Sequence, residues 1–152
     1  TSELEDSLIL CYSGISHDSN EIHHDQKKQM NNKQQKLYAA NSKDIANKMK
    51  SRLLKGKLDN FGELLGQAWS TKKKFSSKIT TPKLDKIYDF AIKNGALGGK
   101  LLGAGNGGYF LFYVPTFNKL KLISMLKKKG YLVESFTFNN SGLRTWVTKK
   151  KI

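Results

Sequence analysis

The chain has 152 residues, enough for one domain with a hydrophobic core and too few for two ordinary ones. Its formal net charge of +15 invites a nucleic-acid reading, yet of its 27 basic residues only Arg52 and Arg144 are arginines, and nucleic-acid surfaces recruit arginine for bidentate contacts to phosphates and bases. The lysines are scattered as Lys27-Lys28, Lys72-Lys73-Lys74, Lys127-Lys128-Lys129 and Lys149-Lys150-Lys151, mostly late in predicted helices or at the chain end, so they read as solvated faces that complement helix dipoles and not as a nucleic-acid surface.

The chain starts at Thr1, which reads as a cut or processed start, and Leu8 to Tyr12 is a short apolar run that predicts a buried strand ended by Ser13-Gly14. Ser16, Asp18, Ser19 and Asn20 are good caps for a following helix, and residues 21–36 are polar nearly all round, an exposed helix anchored by Ile22 and Met30. From Asp44 the period improves. Ile45, Met49 and Leu53 share one helix face, with Gly56 as the stop. A second helix near Asp59 carries Phe61, Leu64, Leu65, Ala68 and Trp69 as one apolar stripe, and the two are expected to pack together. The third start signal is the cleanest, with Thr81 as N-cap and Pro82 at the first helical position, then Leu84, Ile87, Tyr88 and Ala91 on one face and Asn94-Gly95 as the stop.

Beyond Gly95 the texture turns to strand. Gly98 to Leu102 leads into the glycine-rich stretch Gly103 to Gly108, and Tyr109 to Val114 is a strongly aromatic strand closed by Pro115. Thr116 is read as the cap of a helix whose Phe117, Leu120, Ile123 and Leu126 face inward, stopped by Gly130. Tyr131 to Phe138 predicts another strand, and Leu143 to Val147 a short edge strand that puts Trp146, like Trp69, in the core. The order predicts an α+β domain over residues 1–152, a ferredoxin-like split β-α-β antiparallel sheet with extra helices on one face.

No stretch approaches the roughly 20 apolar residues that a membrane span needs, and the single cysteine, Cys11, can form no internal disulfide, so the expectation is a soluble, cytoplasmic protein without membrane or nucleic-acid partners. Cys11 has no activating base in sight and reads as an inert core thiol. His17, His23 and His24 with Asp18 and Asp25 suggest a metal site at first glance, but a helix sets His23 and His24 about 100° apart, so no metal-ligating set is assigned.

The glycines carry the chemistry. A hairpin needs about two of them for positive backbone angles, whereas Gly103, Gly105, Gly107 and Gly108 crowd around Ala104 and Asn106. A loop bare of side chains lets its amides converge on a phosphate or carboxylate; a long flexible hairpin or glycine-eased close packing is the alternative. A strand and not a helix follows, which excludes a Walker loop and a dinucleotide fingerprint. Lys100, just before the loop and within a strand, is a further candidate for aiming at an anion, the alternative being a strand lysine that faces water.

The stretch Gly95-Ala96-Leu97-Gly98-Gly99-Lys100-Leu101-Leu102-Gly103-Ala104-Gly105-Asn106-Gly107-Gly108 resembles the third signature motif of the GHMP kinases, usually a Gly-Ala-Gly followed by three more glycines. Leu8 to His23, Lys72 to Ile79 and Gly142 to Trp146 resemble the bacterial D-glycero-D-manno-heptose 7-phosphate kinases and their sugar-kinase relatives. The resemblance implies a transferase that uses ATP and Mg²⁺ to phosphorylate the anomeric hydroxyl of a heptose phosphate for surface polysaccharide, with the glycine motif beside the cleft and its amides supplying preorganised donors. The same resemblance implies that the turn of Ser16 and Ser19, otherwise simple helix caps, borders the substrate cleft, which makes both candidates for substrate or phosphate binding. It also implies that an N-terminal domain holding the ATP loop and the acidic catalytic and metal-binding groups is absent here, so no catalytic residue is placed in this chain and the fragment alone is expected to be inactive. Homo-oligomerisation is left open. Two departures bear on affinity: Asn106 stands where the motif usually has Gly, and His17 where such kinases commonly carry Arg. The other reading is a stand-alone ferredoxin-like module that binds a small anion without chemistry.

Overall fold

The structure, a computed structural model, describes residues 2–16, 32–135 and 137–146. In chain order the elements are α1 (Ser2–Asp6), β1 (Leu8–Tyr12), α2 (Lys33–Leu54), α3 (Leu58–Lys73), α4 (Pro82–Lys93), β2 (Gly98–Leu101), β3 (Tyr109–Tyr113), α5 (Thr116–Lys128) and β4 (Val133–Glu134). The strands form one sheet in the order β2-β3-β1-β4 with every neighbouring pair antiparallel. Strands β1 and β2 run parallel with β3 slotted between them, the split β-α-β arrangement expected of an α+β, ferredoxin-like domain.

Register divides the sheet into two faces. Ile9 pairs with Phe112 and Cys11 with Phe110, so these four share one face, where they meet Trp69 of α3, Leu84, Ile87 and Ala91 of α4, and Leu122 and Leu126 of α5. Phe110 and Phe112 stack with centroids 5.3 Å apart, and Trp69 meets Phe110 edge-on at 5.8 Å. On the opposite face a smaller cluster joins Leu8 and Tyr113 to Leu65 and Phe61 of α3. The Tyr113 hydroxyl donates to Asp59 at 2.9 Å, and burial, with that bond and the Asp59 charge opposing ionisation, pushes Tyr113 up to about 12.

Helix α4 begins as its sequence dictates, with the Thr81 side chain accepting from the Leu84 amide and Pro82 in the first turn. Helix α2 starts at Lys33, well before the Asp44 expected, because Asn32 caps it and α3 packs along it; the Asn41 amide reaches the Thr71 hydroxyl at 3.5 Å. Of the predicted polar helix over 21–36, residues 33–36 form the first turn of α2, and residues 21–31 lie outside those described. Helix α5 corrects two expectations. Its N-cap is Pro115 with no side-chain cap bond, and its buried residues are Leu122 and Leu126, whereas Phe117 and Leu120 are 83% and 80% exposed. The strand predicted from Tyr131 to Phe138 is only Val133–Glu134, and residues 143–146 form no strand, leaving Trp146 80% exposed and not in the core. Among the described residues no helix is long and apolar enough to cross a membrane.

The tightest packing is backbone on backbone. A Cβ at Gly98 of β2 would stand 2.0 Å from the Gly62 carbonyl oxygen and 2.8 Å from the Gly66 amide of α3, and one at Gly62 would stand 2.3 Å from the Tyr113 ring. Only glycine admits this approach. Gly98→Ala is therefore expected to cost about 3 kcal/mol of stability, read as a lowered urea midpoint, while the same change at Gly142, where a Cβ meets nothing within 4 Å, leaves the midpoint unchanged.

Candidate anion-binding site

The loop between β2 and β3 is held at chosen points and open at others. The Asn106 amide donates to the Ile79 carbonyl at 2.7 Å, and a Cβ at Gly105 would stand 2.9 Å from the Ile79 Cα, so the centre of the loop is seated directly on the turn after α3. At its far end the Gly108 amide donates to the Ile15 carbonyl at 2.9 Å while Ser13 donates to the Gly108 carbonyl at 2.9 Å, tying the loop to the exit of β1. Two stretches that lie far apart in the chain, Leu8 to Ser16 and Lys72 to Ile79, are thus both brought against the loop.

Gly103 (φ 70°), Gly105 (φ 138°) and Gly108 (φ 91°) take backbone angles that L side chains rarely adopt, and Asn106 joins them at φ 59°. Asparagine tolerates the left-handed region better than other side chains, so the turn survives the departure from glycine.

These contacts enclose a cleft of about 230 Å³. One wall is Gly103, Ala104, Gly105, Gly107 and Gly108 with Leu102; the other is Tyr12, Tyr109, Ile15 and Ser16. Among the described residues the amides of Gly103, Ala104 and Gly107 have no hydrogen-bond partner, and the cleft lining holds no carboxylate. Bare amides beside small residues, without an opposing negative charge, make a surface that can accept an anion such as a phosphate.

Ser16 lines the cleft at the exit of β1, while Ser19, His17, His23, His24, Asp18 and Asp25 lie outside the described residues. Lys100 is half-buried, pairs in register with Leu111 on the face away from the main core, and is not among the lining residues. Cys11 is fully buried, and burial pushes its thiol up to about 11. Among the described residues no group of His, Cys, Asp or Glu is placed to hold a metal ion.

Sequence reasoning missed two features. Tyr12 and Tyr109, register partners with ring centroids 5.0 Å apart, line the cleft together; their pairing follows from strand register, which no single-strand pattern carries. The second is Lys72. It does not sit in a solvated cluster: its ammonium donates to the Leu101 carbonyl at 3.2 Å and to the Gly103 carbonyl, at the root of the loop. Burial, then the nearby Lys100 charge, pulls Lys72 down to about 8. Its neighbours are also engaged, Lys73 with Asp85 at 3.2 Å and Lys74 over the Tyr38 ring at 5.7 Å.

Residues 49–132 match the family described as GHMP kinases C terminal. A D-glycero-alpha-D-manno-heptose 7-phosphate kinase of Campylobacter jejuni is 32% identical over 145 residues, covering 95% of this chain and 43% of that protein. A galactokinase of Candida albicans is 38% identical over 78 residues, 51% of this chain and 15% of its own length. Among solved structures, L. major mevalonate kinase in complex with R-mevalonate superposes with a TM-score of 0.73 at 24% identity over 80% of this chain and 38% of that one, a likeness of fold. The chain spans less than half the length of each of these relatives.

Two outcomes test this geometry. Asn106→Ala is expected to lose about 1 kcal/mol of stability through the left-handed penalty, while Asn106→Gly keeps the wild-type urea midpoint. Cys11 holds its proton more tightly folded than unfolded, so its contribution to stability is complete below pH 9 and is lost as pH rises toward about 11. Urea midpoints measured across that window should fall more steeply for the wild type than for Cys11→Ala.

Proposed function

This chain belongs to the GHMP kinase C-terminal family, and from that premise we propose that it is the substrate-side part of an ATP-dependent sugar kinase that phosphorylates the anomeric hydroxyl of D-glycero-D-manno-heptose 7-phosphate or a close relative of that sugar. The observation that carries the reading is the match to a heptose 7-phosphate kinase along 95% of the chain. The cleft supports it: the free amides of Gly103, Ala104 and Gly107 suit the anionic part of a sugar phosphate or of the transferring group, and Ser16 adds a hydroxyl at the rim.

ATP supplies the phosphoryl group when bound, and Mg²⁺ needs acidic ligands that the cleft lining does not contain. Both are assigned mainly to an N-terminal domain outside residues 1–152. This chain's residues bind and orient. The glycine loop offers fixed donors, and the neighbouring rings of Tyr12 and Tyr109, tilted 42° to each other, offer apolar faces against which a sugar ring can rest. Half of a cleft forfeits most of the positioning that makes transfer fast, so the isolated chain is proposed to be inactive. A soluble, cytoplasmic enzyme feeding nucleotide-activated heptose into polysaccharide completes the proposal.

A coupled assay on the full-length protein with ATP, Mg²⁺, heptose 7-phosphate and a panel of free sugars, run beside residues 1–152 alone, tests it. Turnover by the intact protein and none by the fragment is expected. No phosphorylation of any sugar by the intact protein overturns the kinase reading in favour of a small-anion-binding module.

A further inference from the structure

The loop's root is held differently from its centre. At Gly105 and Asn106 the backbone is clamped by Ile79 through a hydrogen bond and van der Waals contact, but a Cβ at Gly103 would meet nothing within 4 Å, so packing does not hold that residue. What touches it is the Lys72 ammonium, bonded to the Gly103 and Leu101 carbonyls.

All peptide bonds described are trans, so the Gly103 carbonyl and the Ala104 N–H lie on one plane and point in opposite directions. Lys72 is not a lining residue of the cleft, while Ala104 is. A carbonyl turned toward Lys72 therefore turns the Ala104 N–H away from it. Glycine at 103, already at φ 70°, gives the plane the freedom to rotate the other way, which would put a carbonyl oxygen where an anion needs a donor.

We propose that Lys72 is a positioning residue that latches the Gly103–Ala104 peptide with its N–H toward the cleft, converting a glycine loop of ambiguous polarity into an anion-binding one. The proposal rests on the reading of this cleft as the substrate-side anion site of the kinase. The ammonium acts twice in this role. It holds the peptide plane, and it withdraws two carbonyl dipoles from the anion while adding positive charge behind the loop. The lowered affinity of Lys72 for its proton accords with an ammonium drawn out of solvent to reach those carbonyls.

The test uses the full-length protein with Lys72→Met, which keeps the stem and removes the donors. Hydrogen exchange of the Leu102 amide, which shares its peptide with the latched Leu101 carbonyl and donates to the Tyr109 carbonyl at 2.8 Å, is expected to accelerate about ten- to a hundredfold, the loss of charge-assisted bonds to two carbonyls, while core amides at Ile87 and Phe112 keep wild-type rates. Turnover of the sugar phosphate is expected to fall by roughly a hundredfold. Unchanged loop exchange, or equal acceleration of loop and core, overturns the latch; faster loop exchange with unchanged turnover overturns its role in the site. If Lys72→Met does not fold, Lys72→Gln, with an uncharged donor on a shorter stem, should show a smaller rise in loop exchange, and no rise overturns the proposal. A wild-type protein that phosphorylates no sugar defeats the kinase reading alone, because the exchange comparison still judges the latch.

Discussion

Helix α3 lies with its backbone directly on β2, at a contact that no side chain could occupy, and the architecture of the cleft follows from it. With Gly62 and Gly66 pressed against Gly98, helix and strand advance together: the helix rises about 9 Å from Gly66 to Lys72, and the strand advances about 10 Å from Gly98 to Leu101. The two distances match, so Lys72 arrives beside the point where β2 ends and the glycine loop begins. The turn after α3 then delivers Ile79 to the middle of the loop. One close approach thus sets the helix, the lysine and the loop relative to one another.

The charge of this chain acquires a local meaning at the same place. A net charge of +15 spread over lysines says little about any one of them. Lys72, Lys73 and Lys74 are consecutive, yet one holds carbonyls under the loop, one pairs with Asp85 and lies 5.7 Å from the Trp69 ring, and one covers Tyr38. Helical geometry separates neighbours by about 100°, so three adjacent lysines at a helix end face three different surroundings. Their shared preference for a helix C-terminus explains the cluster and leaves their separate tasks unexplained.

The sequence was most readable where a residue type has few conformational uses. Thr81-Pro82, the aromatic run Tyr109 to Tyr113 and the excess of glycines from Gly103 to Gly108 each point to one local structure, and the loop and Ser16 do meet in one cleft. It was least readable where apolar residues offer two stripes. In α5 the set Phe117, Leu120, Ile123 and Leu126 is as regular as the one containing Leu122 and Leu126, and the packing of α5 against the sheet selected the second. Trp146 failed for a related reason: its alternating neighbours suit a strand, but residues 143–146 have no strand partner among the described residues.

Alone, the sequence determined the order of elements from β1 to β4, the α+β class, the position of the glycine loop and the backbone angle that Asn106 could bear, because caps, prolines, glycines and short-range periodicity act within a few residues. Tertiary structure alone decided that Tyr12 stands beside Tyr109, that α3 touches β2 through bare backbone, and that Lys72 faces two loop carbonyls. Those facts depend on register and on helix-to-sheet distance, which couple residues far apart in the chain, and local pattern carries no record of which distant surface a side chain will meet.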